Sequence, residues 1–572
     1  MSADVSLLGR QVRHELVALR RTPITMILSI VFPLLFFVLL AAVVGNETVD
    51  SRHGVRLAQF LAPSMASFGV IMATFSFLAV GFAEARSTGV LTRQGGTPLP
   101  RWALLGGRVG AALLLGLIAT SLVIGTGAAF YGVQVVARTL PAVLVALVLA
   151  SVSFSAMGLA AALLLPTPQA TIAVTNGIVV PIAFVSDTFM VNGTLPPWMS
   201  TLGWVFPLKH LVNLLGDAFN PYLTGNAFEL DHLAVIAAWG VAGALVAAWA
   251  LRRERDRTAV RRRPARAARP SDTRPRRTGS PSLVALLAGQ VRHSVRVLSR
   301  NASAVFFAIA FPILLVALIP TVNGGGDQRM ADGQTLGSFF AATMAAYGAA
   351  VTAFVNLPTG LAEARDLGVL QRIHATPLPA WALLTGRVVG AQVVALVTLA
   401  GIGVVAGLMY GTRIPAAWPA VLVTLLLATT CFAVVGIAVM TFVRSASSIV
   451  GVTLGTLLPL CFISDVFVVG VSYPPVLQGL SWFFPLRHAT RALTTAAGAT
   501  GIAGGFSWVH LAVLAAWTLA GAAVVAARFS WVRLEPGRRR AASASWARPR
   551  NTAPDPATST FGASTVGTDD RP

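Results

Sequence analysis

An acid followed two residues later by a base opens a polar stretch twice in this chain, as Glu84-Ala-Arg86 and as Glu363-Ala-Arg365. A carboxylate and a guanidinium spaced this way supply ion pairs and charge-assisted hydrogen bonds, which suit docking rather than bond cleavage. The stretches read EARSTGVLTRQGGTPLPRWALLGGR from Glu84 and EARDLGVLQRIHATPLPAWALLTGR from Glu363. At a constant offset of 279 they share 17 of 25 residues. Residues two apart point to different helix faces, so a purely local ion pair is open but pairing of each Glu with a base on another inner-side element is favoured. Thr97 and Pro98 read as a helix start, Thr capping and Pro in the first turn. Before them a short helix carries Glu84, Arg86, Leu91 and Arg93. After them Trp102 sits at the headgroup level and Arg108 snorkels back to the cytoplasm.

Other polar groups fall inside apolar runs, where an unpaired charge is costly. Asp187 and Asp465, each after Ser, are equivalent. They read either as outer-gate carboxylates or as helix-end groups satisfied locally. Asn176 and Asn356 lie mid-span, facing a pathway or bonding helix to helix. No His, Cys or carboxylate set has triad or metal-ligand spacing, so no catalytic residue and no metal site is expected. Cys431 and Cys461 read as small apolar fillers. His210 and His488, each beside a base, read as interfacial. The only lysine is Lys209, so these residues contain no Gly-Lys-Ser/Thr phosphate loop and no bound cofactor is expected.

The elements that position these groups follow from hydropathy. Of 572 residues 55% are hydrophobic and 11% charged, too little polar surface for a water-soluble fold. Apolar runs long enough to cross a bilayer occur six times in each half. They are expected near 24–44, 60–82, 104–130, 140–165, 170–190 and 232–251, then 304–322, 338–361, 385–409, 419–443, 449–470 and 509–529. The amino-terminal stretch has spaced apolar residues and no cleavage pattern, so the first run is expected to remain as a span. The fold class is therefore an all-α integral membrane protein of two parallel six-helix repeats, because like loops on one side demand an even number of crossings. The repeats are assigned to residues 1–251 and 282–535. Between them, 252–281 reads as an Arg/Pro-rich disordered cytoplasmic linker, and 536–572 as a disordered tail.

The formal charge of +22 orients the protein and is not a nucleic-acid signal. With the amino terminus inside, 35 of the 43 basic residues fall on the cytoplasmic side. Ahead of the first run, Leu8, Val12, Leu16 and Leu19 share one helical face. Their counterparts are Leu287, Val291, Val295 and Leu298, and such helices lie in the interface plane. Between the fifth and sixth runs, LPPWMSTLGWVFPLKHLVNLLGDAF and YPPVLQGLSWFFPLRHATRALTTAA are apolar but broken by Pro, and read as outer re-entrant helices.

Glu-x-Arg, Gly-Val-Leu, Thr-Pro-Leu-Pro and Gly-Arg after the second of six helices resemble the coupling-helix loop of type-2 ATP-binding-cassette (ABC) exporter permeases. The later Ser-Asp, Pro-Pro and Phe-Pro-Leu landmarks resemble the same family's outer segment, in both halves. The resemblance implies coupling loops at Glu84, Arg86, Gly89, Leu91 and Arg93 and at Glu363, Arg365, Gly368, Leu370 and Arg372. It implies alternating access driven by two copies of a separate ATPase, which uses ATP and Mg2+. Such permeases usually supply six helices per chain and pair up; this chain departs by carrying both halves, so its membrane domain is expected to be complete as a monomer. The resemblance further implies the cytoplasmic membrane and outward movement of an amphiphilic drug-like or antibiotic-like substrate. A proton-coupled multidrug carrier is the alternative from another class, and a lipid or polysaccharide exporter the alternative within this one. Carriers with two such halves commonly bury charges along their pathway, and the spans here are nearly free of them.

Overall fold

A computed structural model describes residues 2–20, 30–43, 45–46, 48–50, 55–189, 195–260, 282–330, 333–467 and 473–529. The tail, most of the linker and the start of the first apolar run lie outside them. The first repeat comprises α1 (Ser2–Arg20), α2 (Phe32–Val43), α3 (Leu57–Ser87), α4 (Val90–Gly95), α5 (Arg101–Phe130), α6 (Leu140–Leu164), α7 (Pro168–Val185), α8 (Pro197–Gly203), α9 (Pro207–Ala218) and α10 (Leu230–Val260). The second repeats the order: α11 (Leu283–Ser299), α12 (Ala302–Val322), α13 (Leu336–Asp366), α14 (Val369–His374), α15 (Ala380–Tyr410), α16 (Trp418–Phe442), α17 (Ala446–Ile463), α18 (Pro475–Phe483), α19 (Pro485–Gly498) and α20 (Trp508–Arg528). Among the described residues ten helices are long and apolar enough to cross a membrane, and two shorter apolar helices, Phe32–Ala42 and Ser448–Ile463, complete six per repeat. Two short strands, β1 (Thr48–Asp50) and β2 (Val55–Arg56), pair antiparallel between α2 and α3. Residues 252–260, expected in the linker, continue α10 as helix.

Lipid is as apolar as leucine, so these helices associate through close packing that small residues permit. The amphipathic α1 lies on the start of α5, where Leu8, Gln11 and Val12 occupy the space left open by Gly106, Gly107 and Gly110. In the second repeat Gln290 and Ser294 of α11 meet Gly386 and Gly390 of α15 in the same way.

Helices α3 and α13 are not uniformly α-helical. Met72–Phe77 and Val351–Asn356, at equivalent positions, are π-helical. A widened turn of this kind displaces carbonyls from the regular ladder. Gly158 of α6 and Gly436 of α16 face these turns, and a Cβ at Gly158 would stand 2.6 Å from the Phe75 carbonyl oxygen. Glycine is therefore required where the fourth span crosses the widened turn of the second.

The repeats meet along α2, α7, α12 and α17. Phe306 of α12 packs over Gly177 of α7, and Phe36 of α2 meets Phe462 of α17 edge to face at 4.5 Å between ring centroids.

Candidate functional site

Each charged stretch forms two helices where one was expected. Glu84 and Arg86 end α3, and Glu363 and Arg365 end α13. Gly89 (φ 72°) and Gly368 (φ 71°) then break the chain in the left-handed region, where a side chain would be strained. The following α4 and α14 carry Leu91 with Arg93 and Leu370 with Arg372. Leu370 is fully buried, packed with Leu361, Leu383 and Ile437, and Leu91 packs against the cluster of Ala79, Phe82 and Ala162. Arg93 and Arg372 are exposed. Each short helix is thus anchored by one leucine and presents its polar face outward.

Thr97 does not cap α5. Its hydroxyl donates to the Gln94 carbonyl, closing the end of α4, and Pro100 precedes the first residue of α5. Thr376 does the same with Ile373. A Thr-Pro pair serves either end of a turn, and the orphan carbonyls of the preceding helix claim the hydroxyl first.

The arginines hold these loops to the fourth span of their repeat. Arg86 donates to the Leu163 carbonyl at 3.3 Å and to the Leu165 carbonyl. Arg365 donates to Met440 at 3.4 Å and Val443 at 3.1 Å. Carbonyls at a helix end lack intrahelical partners, and a planar guanidinium bridges two of them. In the second repeat Asp366 adds a tie by accepting the Ala446 N–H at 2.9 Å, at the start of α17. Its counterpart Ser87 only bonds back to Glu84. Glu84 and Glu363 are exposed, and among the described residues neither carboxylate forms an ion pair, so the expected pairing with an inner-side base is not found there. Arg108 does not reach for water. It pairs with Glu15 of α1 at 3.3 Å and lies over the Phe82 ring.

At the opposite end of the bundle Asp187 and Asp465 have φ of 57° and 58°, the left-handed turns that close α7 and α17. Asp187 pairs with Lys209 at 3.1 Å. Asp465 pairs with Arg491 at 2.6 Å and Arg487 at 3.6 Å and accepts from the Tyr473 hydroxyl at 2.9 Å. Lys209 and Arg487 are equivalent and buried, so each aspartate pins a re-entrant helix to the end of the fifth span. Burial pushes the Tyr473 phenol well up, and the Asp465 charge adds to it.

His210 and His488 are buried within the protein. His210 Nδ1 stands 2.7 Å from His232 Nδ1, and its Nε2 donates to the Trp204 carbonyl. His488 repeats this with His510 at 3.0 Å and the Trp482 carbonyl. Burial pulls His210 down, with the Trp204 carbonyl opposing. Beside the first pair lie Glu229 and Asp231, which with His232 form a group of ligand-type atoms all within 4.8 Å of one another. Burial and then the Asp217 carboxylate push Glu229 up. The sequence signal for this group is the spacing Glu229-Leu-Asp-His232, while the partner histidine lies on another helix.

Asn176 back-bonds to Ile172 within α7, next to Gly177 at the seam between repeats. Asn356 reaches the Ala304 carbonyl on α12 at 3.4 Å, so it joins two helices. The seam itself is aromatic. Phe36 meets Phe189 and Phe462, Phe189 meets Phe68 and Phe184, and Phe467 meets Phe462 and Tyr347. Offset and edge-to-face contacts of this kind add to ordinary packing. No sequence pattern separates these rings from lipid-facing ones.

Two parallel six-helix repeats, with an anchored polar helix at one end of each and re-entrant helices at the other, define a membrane transport subunit. The ABC-2 type transporter family model matches residues 7–219 and 287–497, one copy per repeat, and the chain belongs to that family. Membership implies embedding in a membrane and pairing with ATPase subunits. Comparison with curated proteins finds no match.

Proposed function

We propose that the chain is the transmembrane permease of an ABC exporter, with α4 and α14 as coupling helices for two copies of a separate ATPase. The observation that carries this reading is that both repeats present the same helix, hinged on a left-handed glycine, anchored by one leucine and tied by the arginine of Glu-x-Arg to the end of the fourth span. Exposed Glu84 and Glu363 are then free to meet a soluble partner. ATP and Mg2+ belong to that partner.

The loop end faces the cytoplasm of a cell membrane, with both termini, the linker at 252–281 and the tail at 536–572, because the basic residues concentrate there. One chain, with permease units at 1–251 and 282–535, supplies the complete membrane domain. The substrate is amphiphilic, drug-like or antibiotic-like, and crosses at the seam. The aromatic rings there, roofed by the helices that Asp187 and Asp465 hold, close the outer end. The apolar, aromatic character of that seam supports such a substrate.

The test is ATP-driven uptake of amphiphilic compounds into inverted vesicles containing this chain and its ATPase. Wild type should accumulate substrate. Glu84→Ala and Glu363→Ala should assemble but lose transport. Uptake driven by a proton gradient alone, without an ATPase, overturns the reading.

A further inference from the structure

The hydrogen-bond directions around His210 determine what His232 presents to Glu229. A carbonyl only accepts, so the Trp204 oxygen at 2.9 Å requires His210 Nε2 to carry the proton. Neutral His210 therefore offers a lone pair at Nδ1, and His232 Nδ1, 2.7 Å away, must donate to it. Neutral His232 then has a lone pair at Nε2, and that atom stands 2.9 Å from a Glu229 carboxylate oxygen. Two acceptors face each other. Either a proton on the imidazole or a metal ion satisfies both.

A proton would satisfy this one contact, and Glu229 also shares a hydrogen bond with Asp217, but Asp231 adds a further negative charge that a divalent ion would balance. Asp231, on the first turn of α10, brings its carboxylate within 4.8 Å of the same atoms. Asp217, on α9, hydrogen-bonds the Glu229 carboxyl. Two carboxylates and one imidazole nitrogen form a mixed nitrogen and oxygen donor set suited to a divalent transition ion. The His210 contact to the far side of the ring is the outer-shell bond that fixes the tautomer and orientation of a ligating histidine.

The second repeat serves as an internal control. It keeps the His488–His510 pair and the Trp482 carbonyl in the same geometry. At the offset of 278 that relates His232 to His510, however, Ser507, Val509 and Thr495 stand where Glu229, Asp231 and Asp217 do. The histidine pair is thus part of the repeated scaffold, and the acids are an addition to one copy.

We propose that Glu229, Asp231 and His232, with Asp217 behind Glu229, bind one divalent transition-metal ion, Zn2+ or its like, on the first repeat only. The ion would tie the loop before α10 to the re-entrant helix α9, at the end of the bundle opposite the charged loops.

The test uses the full chain without a polyhistidine tag, reconstituted in lipid nanodiscs and stripped with chelator. Zn2+ binding is measured by calorimetry, and Co2+ by its ligand-field absorption. Wild type and His510→Gln should each bind one ion. Glu229→Gln and Asp231→Asn should each weaken binding by at least roughly 10–100-fold, the loss that removal of even an outer-shell partner brings. Both replacements are nearly isosteric, and unfolding without metal shows that they remain folded. Absence of stoichiometric Zn2+ binding by wild type would mean that the cluster holds only a proton and would overturn the proposal. So would binding that survives both substitutions or is lost in His510→Gln.

Discussion

Glu15 and Arg108 form a 3.3 Å ion pair between the amphipathic α1 and the third span of the first repeat, and the second repeat keeps the arginine but not the acid. Ser294 stands at the position of Glu15, and Arg387 Nε is buried without a partner among the described residues. Glu15→Gln should destabilise the chain by about 1 kcal/mol, the scale of a partly exposed pair. Ser294→Glu should stabilise it by a similar amount by giving Arg387 a counter-charge. Thermal unfolding in one lipid composition measures both.

The two aspartates of the re-entrant end should differ in weight. Asparagine tolerates the left-handed turn, so Asp→Asn isolates the charge. The Asp465 side chain is 12% exposed and faces two arginines, whereas that of Asp187 is 39% exposed and faces one lysine. Asp465→Asn should therefore cost about 3 kcal/mol and Asp187→Asn about 1 kcal/mol. Equal losses in denaturation would contradict the assignment.

Much of the architecture was legible because duplication wrote it twice. The offset of 279 located the loops, the amphipathic helices and the even number of spans. Groups whose partners are distant in sequence were not legible. Nothing in the sequence around Arg86 points to its partners, which are carbonyls 77 and 79 residues away. The pairing of His232 with His210 is not written locally, because the two are 22 residues apart across a loop. Thr97 misled for a different reason, since Thr-Pro begins a helix or ends a turn and only the neighbouring carbonyls decide between them.

Arg86→Lys and Arg365→Lys should fail nearly as badly as alanine, because an ammonium cannot bridge two carbonyls as a planar fork does. Each should cost about 1–3 kcal/mol locally. With the ATPase docked, ATP hydrolysis should continue while transport falls. If the lysine variants transport normally, the carbonyl bridge has no part in coupling.

His293 on α11 should make stability pH-dependent. Loss of hydration, then the charges of Arg387 and Arg296, hold it below its ordinary value of 6.5. Between that lowered value and 6.5 the unfolded chain binds a proton that the native chain does not. Stability should fall as pH drops through this window and gain nothing from His293 above it. The difference between wild-type and His293→Gln melting temperatures, followed across pH, should bend there, and a flat difference would refute it.

The π-helical turns at Met72–Phe77 and Val351–Asn356 lie between the seam rings Phe68 and Tyr347 and the loop acids Glu84 and Glu363. A regular helix turns about 100° per residue and transmits rotation as a rigid shaft. These two helices are instead pairs of rods joined by a slipping clutch. Torque applied at the loops can be taken up by moving the widened turn along the chain, and the rings then turn only when that slack is exhausted. On the proposed coupling role, nucleotide-driven strokes and opening at the seam need not occur in lockstep.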